Sequence, residues 1–103
     1  MSYDVIFGPY IEEPKRNYTS NVSGMWTEAI GENLGDLIDR ITRAGDLVEP
    51  VTRGIVAMRA DPDKYRAMNP SNGWGKYEGA LAYLEWILRT ATEYPDVEVS
   101  VWR

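Results

Sequence analysis

Apolar residues at Tyr3, Val5 and Phe7 alternate along the start of the chain, the period of a half-buried strand, and Gly8-Pro9 stops the pattern. Residues 9–25 then show neither helical nor strand periodicity. Pro9, Pro14 and Gly24, with Asn, Ser and Thr around Tyr18, predict a long ordered loop. Helical composition begins at Met25 with Trp26, Ala29 and Ile30, and Gly31 interrupts it. Leu34, Leu37, Ile38 and Ile41 recur at helical spacing and predict one buried stripe that ends by Gly45. Asp46 and Glu49 have capping-box spacing for a further helix with Leu47, Val51, Ile55 and Met58 in a row, and Pro50 is tolerable there only in the first turn.

Asp61-Pro62 reads as an N-cap followed by proline at the first helical position. The longest amphipathic pattern starts at Tyr77 and runs to Tyr94, with Ala80, Leu81, Leu84, Ile87, Leu88 and Ala91 on its apolar face. Pro95 ends it, and Val97, Val99 and Val101 alternate in a closing strand. These elements predict an α+β fold over residues 1–103 as one domain, with the two terminal strands paired and three to five helices laid on the sheet. A two-stranded sheet is marginal without such cover.

Composition narrows the chemistry more than it defines it. At 103 residues and 44% hydrophobic content, one core is affordable. The chain has no cysteine and no histidine, so thiolate chemistry and the commonest general base and metal ligand are missing. No catalytic residue, metal site or cofactor is therefore assigned. A formal charge of −5 disfavours a phosphate-backbone binder, and nucleic acid is not an expected partner. No apolar run reaches the ~20 residues of a membrane span, and the first residues do not resemble a signal peptide, so the expected setting is cytoplasmic without a membrane partner.

Two tracts concentrate polar and aromatic groups. The first runs from Asn17, Tyr18 and Asn21 to Trp26, and its amides and flat rings suit a polar ring or sugar, although the same residues commonly satisfy loop backbone. The second runs through Asn69, Asn72, Gly73, Trp74, Lys76 and Tyr77, where Asn72-Gly73 invites positive φ. Amides near Gly73–Gly75 beside a helix N-terminus predict an anion site with Lys76 close by, against the plainer reading of structural capping. Glu12 with Glu13, and Asp61 with Asp63, are carboxylate pairs with no further ligand pattern, and turn and cap roles explain them. Trp86 falls nearly opposite Leu84 and Leu88 on the helical wheel, and Trp102 lies on the strand face opposite the valines. Each is either a partner anchor or the lid of a second small cluster under the N-terminal loop; an interface is the preferred reading, and Trp86 in particular predicts a homo-oligomer.

The tracts Asn17-Tyr18-Thr19-Ser20-Asn21, Met25-Trp26, Tyr65-Arg66-Ala67-Met68-Asn69-Pro70 and Asn72-Gly73-Trp74-Gly75, with Tyr77-Glu78, carry a resemblance. The chain resembles a family of small, functionally uncharacterised proteins of actinobacterial genomes and of phages infecting those bacteria. In that family an NYTSN tract and a later NP-x-NGWG-x-YE tract recur. The resemblance covers most of the chain outside residues 8–16 and 31–50. It implies a bacterial or phage setting and a host-directed or anti-defence role, and it carries no activity or cofactor with it. The expectation is a non-catalytic binding protein that blocks a host protein or sequesters a small polar, nucleotide-like ligand. The alternatives are a small enzyme using carboxylate, tyrosine or backbone-amide chemistry, and a structural or assembly protein.

Overall fold

Strand β1 (Ser2–Gly8) turns Tyr3, Val5 and Phe7 into the interior and leaves Asp4 and Ile6 on the other side, as its alternation requires. The computed structural model describes residues 2–9, 11 and 14–103. β1 is the centre of a three-stranded antiparallel sheet of order β2-β1-β3, with β2 spanning Lys15–Thr19 and β3 spanning Glu98–Trp102. The pairing of the two terminal strands is as the sequence predicts: Val5 lies opposite Val101 and Phe7 opposite Val99.

β2 corrects the expectation of one long ordered loop over residues 9–25. Its inward positions are Arg16, opposite Val5, and Tyr18, opposite Tyr3. Neither signals a strand by hydrophobicity, yet each covers an aromatic ring. The Arg16 guanidinium sits 5.5 Å from the Trp86 ring centroid, and Tyr18 stacks on Tyr83 at 6.2 Å. The carboxylate pair Glu12 and Glu13 lies outside the described residues.

Among the described residues there are five helices, α1 (Ser23–Ile30), α2 (Leu34–Arg40), α3 (Val48–Ala60), α4 (Pro62–Arg66) and α5 (Tyr77–Glu93); α2 and α5 lie against the sheet, and α3 and α4 pack on the other helices. Gly31 closes α1 in the left-handed region, φ 98°, a conformation that costs glycine least. Asn33 caps α2 by accepting the Asp36 N–H, and Asp61 caps α4 by accepting the Lys64 N–H, with Pro62 at the start of the helix. Asp46 does not cap α3; it sits within a 3-10 turn, Ala44–Leu47, that feeds directly into the helix. Ion pairs connect separate segments: Arg103 bridges to Asp36 and Asp39, Arg59 pairs with Glu85, and Arg40 with Glu32. These are exposed pairs and add little stability individually.

α5 is buried over a wider arc than its predicted stripe. Tyr83, Trp86 and Thr90 are interior beside Ala80, Leu84, Ile87 and Ala91, so the helix packs on the sheet and on α1 and α3 together. The buried side chains form one cluster. Among the described residues no helix is long and apolar enough to cross a membrane.

Candidate functional site

The segment between α4 and α5 is held by its own side chains. Asn69 Oδ1 accepts the Tyr77 N–H at 2.8 Å, closing the first turn of α5, and Asn72 Oδ1 accepts the Trp74 N–H at 2.9 Å. Gly73 and Gly75 hold φ of 78° and 97°. Gly75 also lies so close to β2 that a side chain there would meet Thr19 Cγ2 at 2.5 Å and Val22 Cγ1 at 2.9 Å. Tyr18 completes the clamp: its hydroxyl accepts the Lys76 N–H at 3.1 Å and reaches the Lys76 carbonyl at 3.5 Å. The two polar-aromatic tracts, separated by some fifty residues of chain, are therefore neighbours in space.

Between them lies a cleft of about 510 Å³. Ser2, Asn17, Thr19 and Asn21 contribute from the strand side, and Trp74 and Gly75 from the loop. The Trp74 side chain is 68% exposed, and the side chains of Asn17 and Asn21 hold no hydrogen bond among the described residues. An indole face and two amides with donors and acceptors at hand are groups able to bind rather than groups already engaged. A second hollow, about 590 Å³, opens between Gly8, Pro9, Ile41, Thr42 and Glu98; it offers one carboxylate and no aromatic ring.

Several residues expected at the site prove to support it from within. Trp26 is 0% exposed, and its Nε1–H donates to the Ala80 carbonyl at 3.1 Å, which ties α1 to α5. Tyr77 is buried and donates its hydroxyl to the Met58 carbonyl at 2.9 Å. Neither presents a surface to a ligand. Of the amides expected to form an anion site, the Gly73 N–H donates to the Pro70 carbonyl at 3.4 Å and the Trp74 N–H to Asn72 Oδ1, so the loop does not offer a row of open amides. At the same helix start, the Glu78 carboxyl is held below its ordinary range by its own backbone N–H and then by the Arg66 guanidinium. The Lys76 side chain itself is exposed.

Trp86 is 3% exposed, buried inside the folded chain rather than presented on its surface. It stacks on Tyr83 at 5.7 Å and meets Phe7 edge-on at 5.4 Å, with Arg16 over its ring, so β1 and β2 provide the cover that a helical wheel alone leaves missing. Trp102 is 69% exposed on the outer face of the sheet, opposite Asp4.

Sequence reasoning missed Tyr83. Its hydroxyl accepts the Val5 N–H at 3.2 Å and lies 2.9 Å from the carbonyls of both Tyr3 and Arg16, pinning α5 to β1 and β2. Burial first, and the Asp4 carboxylate with it, push this phenol above its ordinary value, while the Val5 N–H pulls the other way. The one available signal is the spacing of Tyr83 and Trp86, a second aromatic row beside the aliphatic stripe. Tyr83 is buried, and its hydroxyl is engaged by the backbone of both strands. Asp61 caps α4 and Asp63 faces Arg66, and among the described residues no three acidic side chains converge on a point that could hold a metal ion. No family model, curated protein or solved structure matches this chain.

Proposed function

We propose that the chain is a binding module of the bacterial cytoplasm, phage-borne and host-directed, whose recognition surface is the cleft between β2 and the loop at Trp74. The observation that carries this reading is Trp74 itself: a 68%-exposed indole on a segment whose backbone is fixed by Asn69, Asn72, two positive-φ glycines and the Tyr18 hydroxyl. Covering an indole stabilises a complex by about 2–3 kcal/mol, and a loop fixed in advance loses little entropy on binding. The phage and host setting draws its support from the resemblance carried by the two tracts.

A blocked host protein fits the cleft better than an enclosed small molecule. Small-ligand sites bury most of the ligand, whereas this cleft leaves its main aromatic wall largely in solvent. Sequestration of a small polar ring remains the second reading, favoured by the amides of Asn17 and Asn21 opposite the indole.

The test is comparative capture from a bacterial lysate, reading proteins and small molecules together by mass spectrometry. Trp74→Ala is expected to lose the captured species while Trp102→Ala, which alters an equally exposed indole elsewhere, retains it. The same captures from both variants would remove the cleft as the recognition surface.

A further inference from the structure

We propose that the free edge of β2 takes up an extended, acidic segment of a partner protein as a fourth strand of the sheet. The proposal rests on the cleft reading above and names its occupant. β2 stands at the end of the sheet order and has no strand on its far side among the described residues. The Phe7 N–H donates to the Pro14 carbonyl at 2.6 Å, so residues 14, 16 and 18 turn their backbone groups toward β1. Alternation then points the N–H and C=O of Lys15 and Asn17, and the N–H of Thr19, away from the sheet. Five residues of edge span about 16 Å, enough for a short strand to form a ladder. The opposite edge is not equivalent, since β3 lies along α2, where Arg103 bridges to Asp36 and Asp39.

Charge selects the occupant. The chain as a whole is acidic, at −5, and several helical cations are already matched by carboxylates: Arg40 with Glu32, Arg59 with Glu85, Lys64 with Glu28, Arg66 with Glu78. Lys15 on the strand and Lys76 on the loop, in contrast, have no ion pair among the described residues. Edge lysines discourage indiscriminate pairing, and they leave an acidic strand as the favoured addition. Trp74 stands at the Thr19–Asn21 end of the same groove. The bound segment therefore places a carboxylate near Lys15 and an apolar side chain against Trp74. A second copy of β2 meets these demands less well: paired antiparallel about Asn17, it sets Lys15 and Arg16 against Thr19 and Tyr18 and supplies no acid.

The experiment is selection of random octapeptides on the intact protein, followed by titration of the selected peptide as a synthetic probe. The expected result is a pool with Asp or Glu toward one end and an apolar residue toward the other. N-methylation of alternate peptide residues is expected to weaken binding about tenfold or more, as loss of ladder hydrogen bonds requires. On the protein, Asn17→Pro removes an outward N–H without touching the bonds to β1, and it should weaken the probe about tenfold while Asn17→Ala weakens it less. Slowed amide exchange at Lys15, Asn17 and Thr19 on addition of the probe reads the same contact in the unmodified chain. Neutral or basic selected peptides, unchanged exchange at those amides, or a homodimer that Asn17→Pro dissolves would each overturn the proposal. Capture of a compact ligand through Trp74 with no octapeptide binding would overturn strand addition and leave the cleft reading standing.

Discussion

The hydroxyl of Tyr18 occupies the place where a side chain on Gly79 would begin. That one absence lets β2 lie against the first turn of α5 and lets Tyr18 reach the Lys76 backbone, so the cleft exists because position 79 carries no Cβ.

Gly79→Ala should therefore reverse the usual sign of its class. Alanine in a helix interior ordinarily gains about 1 kcal/mol over glycine. Here it displaces the Tyr18 ring and hydroxyl, and a net loss of roughly 1–3 kcal/mol is expected in denaturant unfolding. A variant as stable as the parent would show that Tyr18 moves aside at no cost.

Tyr83→Phe is expected to lower stability by about 1–3 kcal/mol, because the Val5 N–H and the carbonyls of Tyr3 and Arg16 lose their shared partner inside the core. For a chain of this size the melting temperature should fall by at least about 4 °C. Its pH dependence has a definite sign. The phenol is raised above its ordinary value in the folded state, so its contribution is complete below about pH 10 and falls as pH rises further, when the unfolded chain ionises first. The advantage of the parent over Tyr83→Phe should accordingly shrink in alkali. An advantage that grows there would mean that the folded state favours the phenolate.

The loop glycines should rank by their surroundings. Gly73 has positive φ and open space, so Gly73→Ala is strained by roughly 1 kcal/mol. Gly75 has positive φ and also abuts Thr19 and Val22, so Gly75→Ala should cost more. Glu93→Ala on the exposed surface should stay within about ±0.5 kcal/mol. Denaturant midpoints for the three variants check the order, and equal midpoints would mean the loop makes no special demand on its backbone.

The four tryptophans divide into two pairs. Trp86→Glu is expected to destabilise the monomer by about 3 kcal/mol or more, since it puts a carboxylate among Phe7 and Tyr83, while Trp102→Glu should be nearly neutral. Circular dichroism melts distinguish them. A Trp86→Glu variant that stays folded and only changes its sedimentation would restore Trp86 as an interface residue.

Local rules were enough for the elements whose inward residues are hydrophobic. The alternation of Tyr3, Val5 and Phe7, the valines of β3, the Asp61-Pro62 start of α4, the Gly31 stop and the stripe of α5 are all written in spacing, because each depends on neighbours within a turn or a strand. Positive φ at Gly73 and the turn at Asn72 belong to the same class. β2 was not legible, because its inward residues are Arg16 and Tyr18, and an arginine reads as inward-facing only when the ring it covers is known. The roles of Trp26, Tyr77 and Trp86 were decided by the sheet and helices packed over them, and a helical wheel, which holds one element, has no term for that cover. Sequence alone placed the two polar-aromatic tracts far apart along the chain. Only the fold brought Tyr18 to Lys76 and left Asn17, Asn21 and Trp74 facing one open cleft.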